Sequence, residues 1–251
     1  MSDRTLKARA PARRADVSRR ELFRLFLAER RDPEPFYTRL ASRDIAQFPL
    51  DLRSALVLDL ASGPGYYATA LADRGALVVA TDLDRRDLAL RSSALPRALV
   101  SDGTRLPFTA ATFDGVFCSN LLEHTPRPAE ILAEIERVLR PGAWAYLSWT
   151  NWYSPWGGHA ITPFHYLGPR LGLKTYRAVL GEPKGKNLPY ERLWPTHIGQ
   201  VLRLVRQRPG LRLLDAYPRY YPSQRWILRV PGLRELATWN CVLLLQRRPT
   251  G

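Results

Sequence analysis

The chain has 251 residues, of which 45% are hydrophobic, and this is enough for one large domain with a substantial core. Two cysteines are too few for a disulfide framework, and no segment has the roughly 20 apolar residues of a membrane-spanning helix or the apolar stretch of a signal peptide. The net charge of +15 is concentrated at the ends, with eleven basic and two acidic residues in 192–251, and such ends attract anionic partners.

The N-terminal segment predicts a tail followed by two helices. Residues 1–15 are polar and basic without periodicity, so we expect them to be disordered. Asp16 or Ser18 can cap a first helix with apolar and arginine-rich faces, and a second short helix follows. We interpret residues 16–50 as a helical lid, with membrane contact through residues 16–31 as the alternative.

An apolar run that breaks into glycine organises the rest of the chain. The sequence VLDLASGPGYY, which begins at Val57, predicts a buried strand, and Gly63 and Gly65 then predict a tight turn where backbone can approach a ligand. A helix from about Tyr66 to Arg74 follows. Asp59 lies at the carboxyl end of the strand, where open α/β sheets bind ligands. Alone, this glycine pattern also fits a dinucleotide-binding loop.

Two further predicted strands end on an aspartate. The apolar segment from Ala76 to Thr81 is followed by Asp82, and a short strand from Ala98 is followed by Asp102. With Asp59, these side chains would give three acceptors along one edge of a parallel sheet. No Lys or Arg lies between residues 63 and 73 to neutralise a pyrophosphate, so the pattern favours a cationic ligand.

The remaining core continues the alternation of strands and helices. Phe113–Ser119 is predicted as the fourth strand, Pro126–Leu139 as an amphipathic helix stopped by Pro141-Gly142, and Trp144–Trp149 as the fifth strand. Such alternation with short connections is typical of a doubly wound sheet. The core therefore spans about residues 55–150.

Beyond the fifth strand the chain changes character. Residues 150–195 form an aromatic insert punctuated by Pro and Gly, within which residues 167–180 are predicted to be helical. Thr196 is expected to cap a helix reaching Arg208. Two C-terminal strands are predicted, at residues 211–217 and at about 237–246.

The motifs of this core resemble those of the class I S-adenosylmethionine-dependent methyltransferases, nearest to the type 11 small-molecule group. They occur in the correct order: VLDLASGPGYY, Asp82, SDGTRLPF, FDGVFCSNLLEH and LRPGAWAYLSW. The resemblance implies an α/β fold in residues 51–251 with a Rossmann-like, mostly parallel seven-stranded sheet. The C-terminal strands would form its antiparallel hairpin, and the N-terminal helices would cover the methyl donor.

The resemblance implies S-adenosyl-L-methionine as the cofactor and assigns the residues that bind it. One departure is Ala61, which replaces the first glycine of the family motif; we expect it to hold ordinary dihedral angles and to alter the fit around the methionine moiety without loss of the site. The predicted cofactor-binding residues are Asp59, Ala61, Gly63, Gly65, Asp82, Leu83, Asp102, Gly103 and Asn120.

Methyl transfer mainly requires alignment of the acceptor with the donor, and a hydroxyl acceptor would also benefit from a general base. The candidate catalytic residues are His124, His159 and His165, whereas His197 is interpreted as a capping or surface residue. Glu123 and the aromatic side chains of the insert are the candidates for substrate binding, with local core as an equal alternative for the aromatics: Trp152, Trp156 and Tyr166.

Several other functions are open to test on the sequence. Amino-methylating nucleic-acid enzymes carry prolines after the fourth strand, and Ser119-Asn120-Leu121-Leu122 has none, so nucleic acid is not the expected substrate. Cys118 lies within an apolar strand, which does not suit a nucleophile. Apart from His159 and His165, the four histidines show no metal-ligand spacing, so no metal is predicted.

We therefore predict a cytoplasmic methyltransferase, with the inner face of the membrane as an alternative location. It would methylate an oxygen of a small-molecule or lipid-linked acceptor, preferably an anionic one. A nicotinamide-dependent oxidoreductase and a catalytically silent S-adenosylmethionine-binding protein are the alternative functions. The oligomeric state is left open.

Overall fold

The computed structural model describes residues 18–29, 31–90, 97–185 and 187–249. Within these residues, seven strands form a sheet in the order β3-β2-β1-β4-β5-β7-β6. The strands are β1 Leu56–Leu60, β2 Leu77–Asp82, β3 Ala98–Val100, β4 Phe113–Ser119, β5 Leu139–Thr150, β6 Leu211–Pro218 and β7 Asn240–Arg247. The predicted α/β fold with an antiparallel C-terminal hairpin is confirmed.

Eight α-helices and four 3-10 helices accompany these strands in the described part of the chain. The α-helices are α1 Arg19–Ala28, α2 Pro33–Ala46, α3 Tyr66–Ala72, α4 Arg85–Ala89, α5 Pro128–Val138, α6 Pro169–Leu180, α7 Ile198–Arg206 and α8 Leu233–Ala237. The 3-10 helices are Leu122–His124, His159–Ile161, Phe164–Leu167 and Pro222–Arg229. None of the helices described is both long and apolar enough to cross a bilayer.

The chain divides into two units, Met1–Val100 and Ser101–Gly251. In the first unit, β1 pairs in parallel with β2, and β2 pairs in parallel with β3. Ser18 caps α1 by accepting a hydrogen bond from the Glu21 N–H at 3.1 Å, as one of the two predicted caps. The chain after α2 is held by Arg74, which donates to the Phe48 and Leu50 carbonyl oxygens. The N-terminal helices are thereby joined to the segment that follows the glycine turn.

In the second unit, β4 and β5 pair in parallel, whereas β7 runs antiparallel to both β5 and β6. The central strands are buried on both faces, which explains their continuous apolar sequences. Helices α5 and α7 bury one apolar stripe each, formed by Ile131, Leu132, Ile135, Val138, Ile198, Val201, Leu202 and Val205.

Several predicted boundaries need correction. Helix α5 ends at Val138 and β5 begins at once, so Pro141-Gly142 lies in a register irregularity of that strand instead of stopping the helix. The N-cap position of α7 is His197 and not Thr196, whose hydroxyl donates to the Leu122 and Trp194 carbonyl oxygens. The 3-10 helix Pro222–Arg229 and α8 were not predicted. The predicted disordered tail, residues 1–15, and the alternative cap Asp16 lie outside the described residues.

Candidate functional site

The glycine turn after β1 is built from residues with left-handed backbone. Gly63 and Gly65 have φ angles of 53° and 83°, and Gly65 immediately precedes α3. A methyl group placed on Gly63 would meet no atom within 4 Å, so open space adjoins this residue. The turn therefore presents backbone to an open region, as its sequence predicted.

Ala61 belongs to the same turn, and its conformation differs from our expectation. Its φ angle is 58°, in the left-handed region, where a side chain with a Cβ is strained by about 1 to 2 kcal/mol. The expectation of ordinary dihedral angles was wrong, because the turn keeps the backbone shape that glycine would adopt. Ala61 thus has a backbone conformation that favours glycine.

Asp59 is the most unusual acid of the first unit. Its side chain is buried, and its Oδ2 atom has no hydrogen-bond partner among the described residues. Burial raises its pKa to about 7, and the charge of Asp82 adds to this shift, while the Ser62 hydroxyl and the Ala68 N–H oppose it. A buried carboxyl group with a spare acceptor suits a ligand that brings positive charge or N–H donors.

Asp82 ties the glycine turn to the end of β2. Its Oδ2 accepts a hydrogen bond from the Gly63 N–H at 2.8 Å, and its Oδ1 accepts one from the Asp84 N–H at 2.9 Å. A carboxylate has about four acceptor positions, so two remain for a ligand such as a ribose diol. The adjacent Leu83 side chain is exposed and offers an apolar surface beside this carboxylate.

Asp102, in the second unit, has a different environment. Its Oδ1 accepts from both the N–H and the hydroxyl of Thr104 at 2.8 Å, and its Oδ2 lies 3.3 Å from Arg127. These hydrogen bonds, led by that of the Thr104 N–H, hold the pKa of Asp102 below its usual value. Gly103 lies within this turn. The group is a fixed, ionised acceptor.

Asn120 follows β4 with a φ angle of 56° and belongs to a network that the sequence did not reveal. Its Oδ1 accepts a hydrogen bond from Asn240 Nδ2 at 2.9 Å, and Arg219 Nη1 lies 3.5 Å away. The same Arg219 nitrogen donates to the Ser148 hydroxyl at 3.2 Å. Because the amide oxygen is engaged, the Asn120 Nδ2 donor is the group left for a ligand.

The turn Leu122–His124 is held by the segment 192–196. The Trp194 N–H donates to the Glu123 carbonyl oxygen at 2.8 Å, and His124 Nδ1 lies 2.6 Å from the Arg192 carbonyl oxygen. Since a carbonyl oxygen only accepts, Nδ1 carries the proton, and the lone pair of neutral His124 is on Nε2. This tautomer leaves a basic nitrogen on the side of the ring opposite Arg192.

Glu123 and His159 adjoin His124. The buried Glu123 carboxylate accepts from the Thr150 N–H at 2.8 Å through Oε1, and burial raises its pKa. The ring centroids of His159 and His124 are 5.4 Å apart, with the rings nearly perpendicular. His159 has a φ angle of 46°, and left-handed residues other than glycine cluster at functional sites. These three predicted site residues are brought together by the fold.

The other predicted residues of the insert lie elsewhere. His165 is buried, its Nε2 donates to the Ser154 carbonyl oxygen at 3.0 Å, and burial lowers its pKa. Its ring is in contact with Trp152, which is itself buried against Ile161 and Leu193. These positions give His165 and Trp152 the surroundings of local core.

The two remaining aromatic candidates are more accessible. Trp156 is half-buried, with its ring edge against Trp239, and Tyr166 is exposed and stacks on Tyr153. His197 lies at the cap of α7, where it contributes no side-chain capping bond. The described residues contain no group of three His, Cys, Asp or Glu side chains that could hold a metal ion.

The partners that sequence analysis missed are Arg219, Asn240, Asn187 and the carbonyl of Arg192. Asn187 Nδ2 lies 3.4 Å from His159 Nδ1, which makes that nitrogen the acceptor. Each partner is far along the chain from the group it holds, as with Asn120 and Asn240, so no local pattern could have indicated it.

The methyltransferase domain family matches this chain over residues 58–147. A methyltransferase of Mycobacteroides abscessus is 36% identical over 255 residues, which cover 94% of this chain and 97% of the relative. One of Mycolicibacterium gilvum is 36% identical over 253 residues, covering 95% and 97%. The similarity therefore extends beyond the core into the insert and the hairpin.

Solved structures share the fold. The S-adenosylmethionine-dependent methyltransferase of Mesorhizobium loti superposes with a TM-score of 0.58 at 19% identity, covering 84% of this chain and 98% of its own. A methyltransferase of the same kind from Methanosarcina mazei gives a TM-score of 0.54 at 17% identity, with 79% and 94% covered. At these identities the likeness concerns the fold.

Proposed function

This chain belongs to the S-adenosylmethionine-dependent methyltransferase family, and from that premise we propose that it methylates an oxygen atom of an amphiphilic, anionic acceptor. The acceptor would be a small molecule or a lipid-linked one. The observation that carries the proposal is the fixed tautomer of His124, whose basic Nε2 is suited to take a proton from a hydroxyl group.

S-adenosylmethionine, when bound, supplies a methyl group already activated by the positive charge on sulfur. The residues of the first unit fit this cation. The spare acceptor of buried Asp59 suits its positive charge, and Asp82 retains acceptor positions for the ribose. In the second unit, Asp102 and the Asn120 amide stay predicted cofactor-binding residues.

The proton of the acceptor is the one that the protein must move. In such a transfer the new bond between the acceptor oxygen and the methyl carbon would form as the bond between sulfur and that carbon breaks, with its electron pair left on sulfur. The proton of the acceptor would pass to Nε2 of His124 and from there to water. The resulting imidazolium keeps its Nδ1–H bond to the Arg192 carbonyl, and the neighbouring Glu123 carboxylate stabilises its charge. His159, held at Nδ1 by Asn187, would orient the acceptor next to His124.

The exposed surface of the insert supports the acceptor class. Arg170 lies over the ring of exposed Tyr190, with its guanidinium carbon 5.7 Å from the ring centroid. Exposed apolar side chains of the same insert include Leu167 and Leu171. Cationic and apolar groups side by side favour an acceptor that carries both an anionic group and a hydrocarbon part.

The test is a methyl-transfer screen with a labelled donor and whole-cell lipid and metabolite extracts. We expect a labelled, base-stable ether or a base-labile ester in the lipid or anionic fraction. A His124→Asn variant keeps an amide N–H for the Arg192 carbonyl but lacks Nε2, and its rate should fall by about 10² to 10⁴.

The controls separate chemistry from binding. Donor binding by His124→Asn should match wild type, and Lys174→Gln, an exposed change on α6, should leave the rate unchanged. Label on nitrogen or carbon, or full activity of His124→Asn, would contradict oxygen methylation through this base. If no extract gives a labelled product, the result would favour a catalytically silent S-adenosylmethionine-binding protein. The other alternative, a nicotinamide-dependent oxidoreductase, does not agree with the methyltransferase family.

The location of the reaction belongs to the same proposal. We place it in the cytoplasm and, for a lipid-linked acceptor, at the inner face of the membrane. Support comes from α1, where Phe23 and Leu27 are exposed on an arginine-rich helix. A Phe23→Ser/Leu27→Ser variant that sediments with anionic vesicles as well as wild type would remove the role of this helix.

A further inference from the structure

The connection between β6 and β7 is a folded excursion in which apolar side chains face outward. It contains the 3-10 helix Pro222–Arg229 and α8, and Trp226 and Leu236 are 54% and 59% exposed. Val230 and Leu233 are also exposed. We call Trp226, Arg229, Val230, Leu233 and Leu236 the excursion surface. Isolated apolar residues are ordinary at a surface, whereas four exposed apolar side chains within eleven positions concentrate apolar groups in one element.

The opposite side of the excursion is anchored, so its outward side chains are held in place. Ile227 and Leu228 are buried in the second unit. The Tyr221 hydroxyl donates to the Ala237 carbonyl oxygen and accepts from the Trp239 N–H, which closes the base of the excursion. The exposed residues therefore belong to an ordered, two-sided element.

The net charge of this region is positive. Asp215 and Glu235 are the only acids after residue 192 in the sequence, and both are engaged. Asp215 pairs with Arg225 at 3.0 Å, and the Glu235 carboxylate accepts from the Ile198 and Gly199 N–H groups at the start of α7. Arg229 is exposed and forms no ion pair with any described residue. Cationic charge thus accompanies the apolar side chains.

We propose that the excursion surface binds the anionic surface of a phospholipid bilayer. Trp226 would lie at the interface with its ring among the acyl chains, Leu233 and Leu236 would enter beside it, and Arg229 would meet lipid phosphates. A second copy of the chain would bring the same positive charge and is disfavoured by repulsion. This inference does not depend on which acceptor is methylated, and it adds a second membrane-binding surface to the one proposed for α1.

The test is cosedimentation of the full chain with sucrose-loaded vesicles of phosphatidylcholine, with and without one quarter phosphatidylglycerol. Binding is expected only with the anionic lipid. It should be lost in 0.5 M salt, because the Debye length there is only about 4 Å and the attraction between charges is screened. Trp226→Ser should lower the partition coefficient by about tenfold and Arg229→Gln by about fivefold.

Matched controls are Leu90→Ser and Arg97→Gln, exposed changes in the first unit that should alter the partition coefficient less than about twofold. Equal binding to both kinds of vesicle, or wild-type binding by Trp226→Ser, would overturn the proposal. So would loss of binding only in Phe23→Ser/Leu27→Ser, which would assign it to α1. A dimer in light scattering that Trp226→Ser dissociates would show that the surface binds a second copy.

Discussion

Asp59 and Asp102 are both aspartates at or just beyond the end of a parallel strand, yet their pKa values move in opposite directions. Asp59 is buried with one unpartnered oxygen, whereas Asp102 accepts two hydrogen bonds from Thr104 and faces Arg127. Desolvation dominates the first and hydrogen bonding the second. Of the two, Asp59 is therefore the carboxyl whose ionisation a bound cation would change more.

The stability of the protein should accordingly depend on pH through Asp59. Its folded pKa of about 7 is above the unfolded value of 3.8, so its contribution is fully present below about pH 4 and is lost as pH rises towards 7. Relative to Asp59→Asn, the free energy of unfolding of the wild type should decline by roughly 3 to 4 kcal/mol over this range. Urea unfolding at pH 4, 5.5 and 7.5 measures this, and parallel profiles of the two proteins would contradict it.

Ala61 offers a test of backbone strain in the glycine turn. Since its φ angle is 58°, Ala61→Gly should relieve the strain, and the gain is reduced by the greater freedom of glycine in the unfolded chain. We expect a net increase of about 1 kcal/mol in the free energy of unfolding, measured by urea titration. A decrease would show that the Cβ makes stabilising contacts that outweigh the strain.

At the scale of the elements, the β6–β7 hairpin completes the sheet and also holds the side chain of a residue after β4. The residues at its open end, Arg219 and Asn240, hold the side-chain amide of Asn120 after β4. Both are buried, and Asn240 Oδ1 has no partner among the described residues. The hairpin therefore positions a residue that we expect to contact the methyl donor.

Removing that support should weaken donor binding without contact to the donor itself. Asn240→Ala deprives the Asn120 oxygen of its 2.9 Å donor and frees the amide to rotate, so the dissociation constant of S-adenosylhomocysteine should rise by about tenfold. Isothermal calorimetry measures it. The control is Asn187→Ala, the same chemical change next to His159, which should leave this constant unchanged; equal effects of the two variants would contradict the positioning role.

At the scale of the whole molecule, the features that could be predicted are those that depend on a short stretch of sequence. The strand β4 has the predicted bounds because its apolar run is bounded by polar residues, and Asp59 and Asp82 lie near the carboxyl ends of β1 and β2, where the sequence predicted them. The network of Asn120, Arg219 and Asn240 was not predictable, since its members are up to 120 positions apart. The 3-10 helix Pro222–Arg229 was missed because short turns rich in Pro and Arg have no distinct periodicity.

The glycine turn illustrates where local patterns are insufficient. Residue type at position 61 suggested ordinary backbone, but the turn as a whole requires a left-handed conformation there. Likewise, threonine is a common helix-cap residue, but the Thr196 hydroxyl donates to the Leu122 carbonyl oxygen in the turn after β4. In both cases a tertiary constraint outweighs the local preference.

The central claim is that the acids at the carboxyl ends of the first two strands hold a charged sulfur nucleoside, and calorimetric titration tests it most directly. S-adenosylhomocysteine should bind with one site per chain, NADH should not bind, and Asp82→Ala should weaken binding by about 1 to 3 kcal/mol as ribose acceptors are lost. Binding of NADH, or S-adenosylhomocysteine affinity unchanged in Asp82→Ala, would contradict the account.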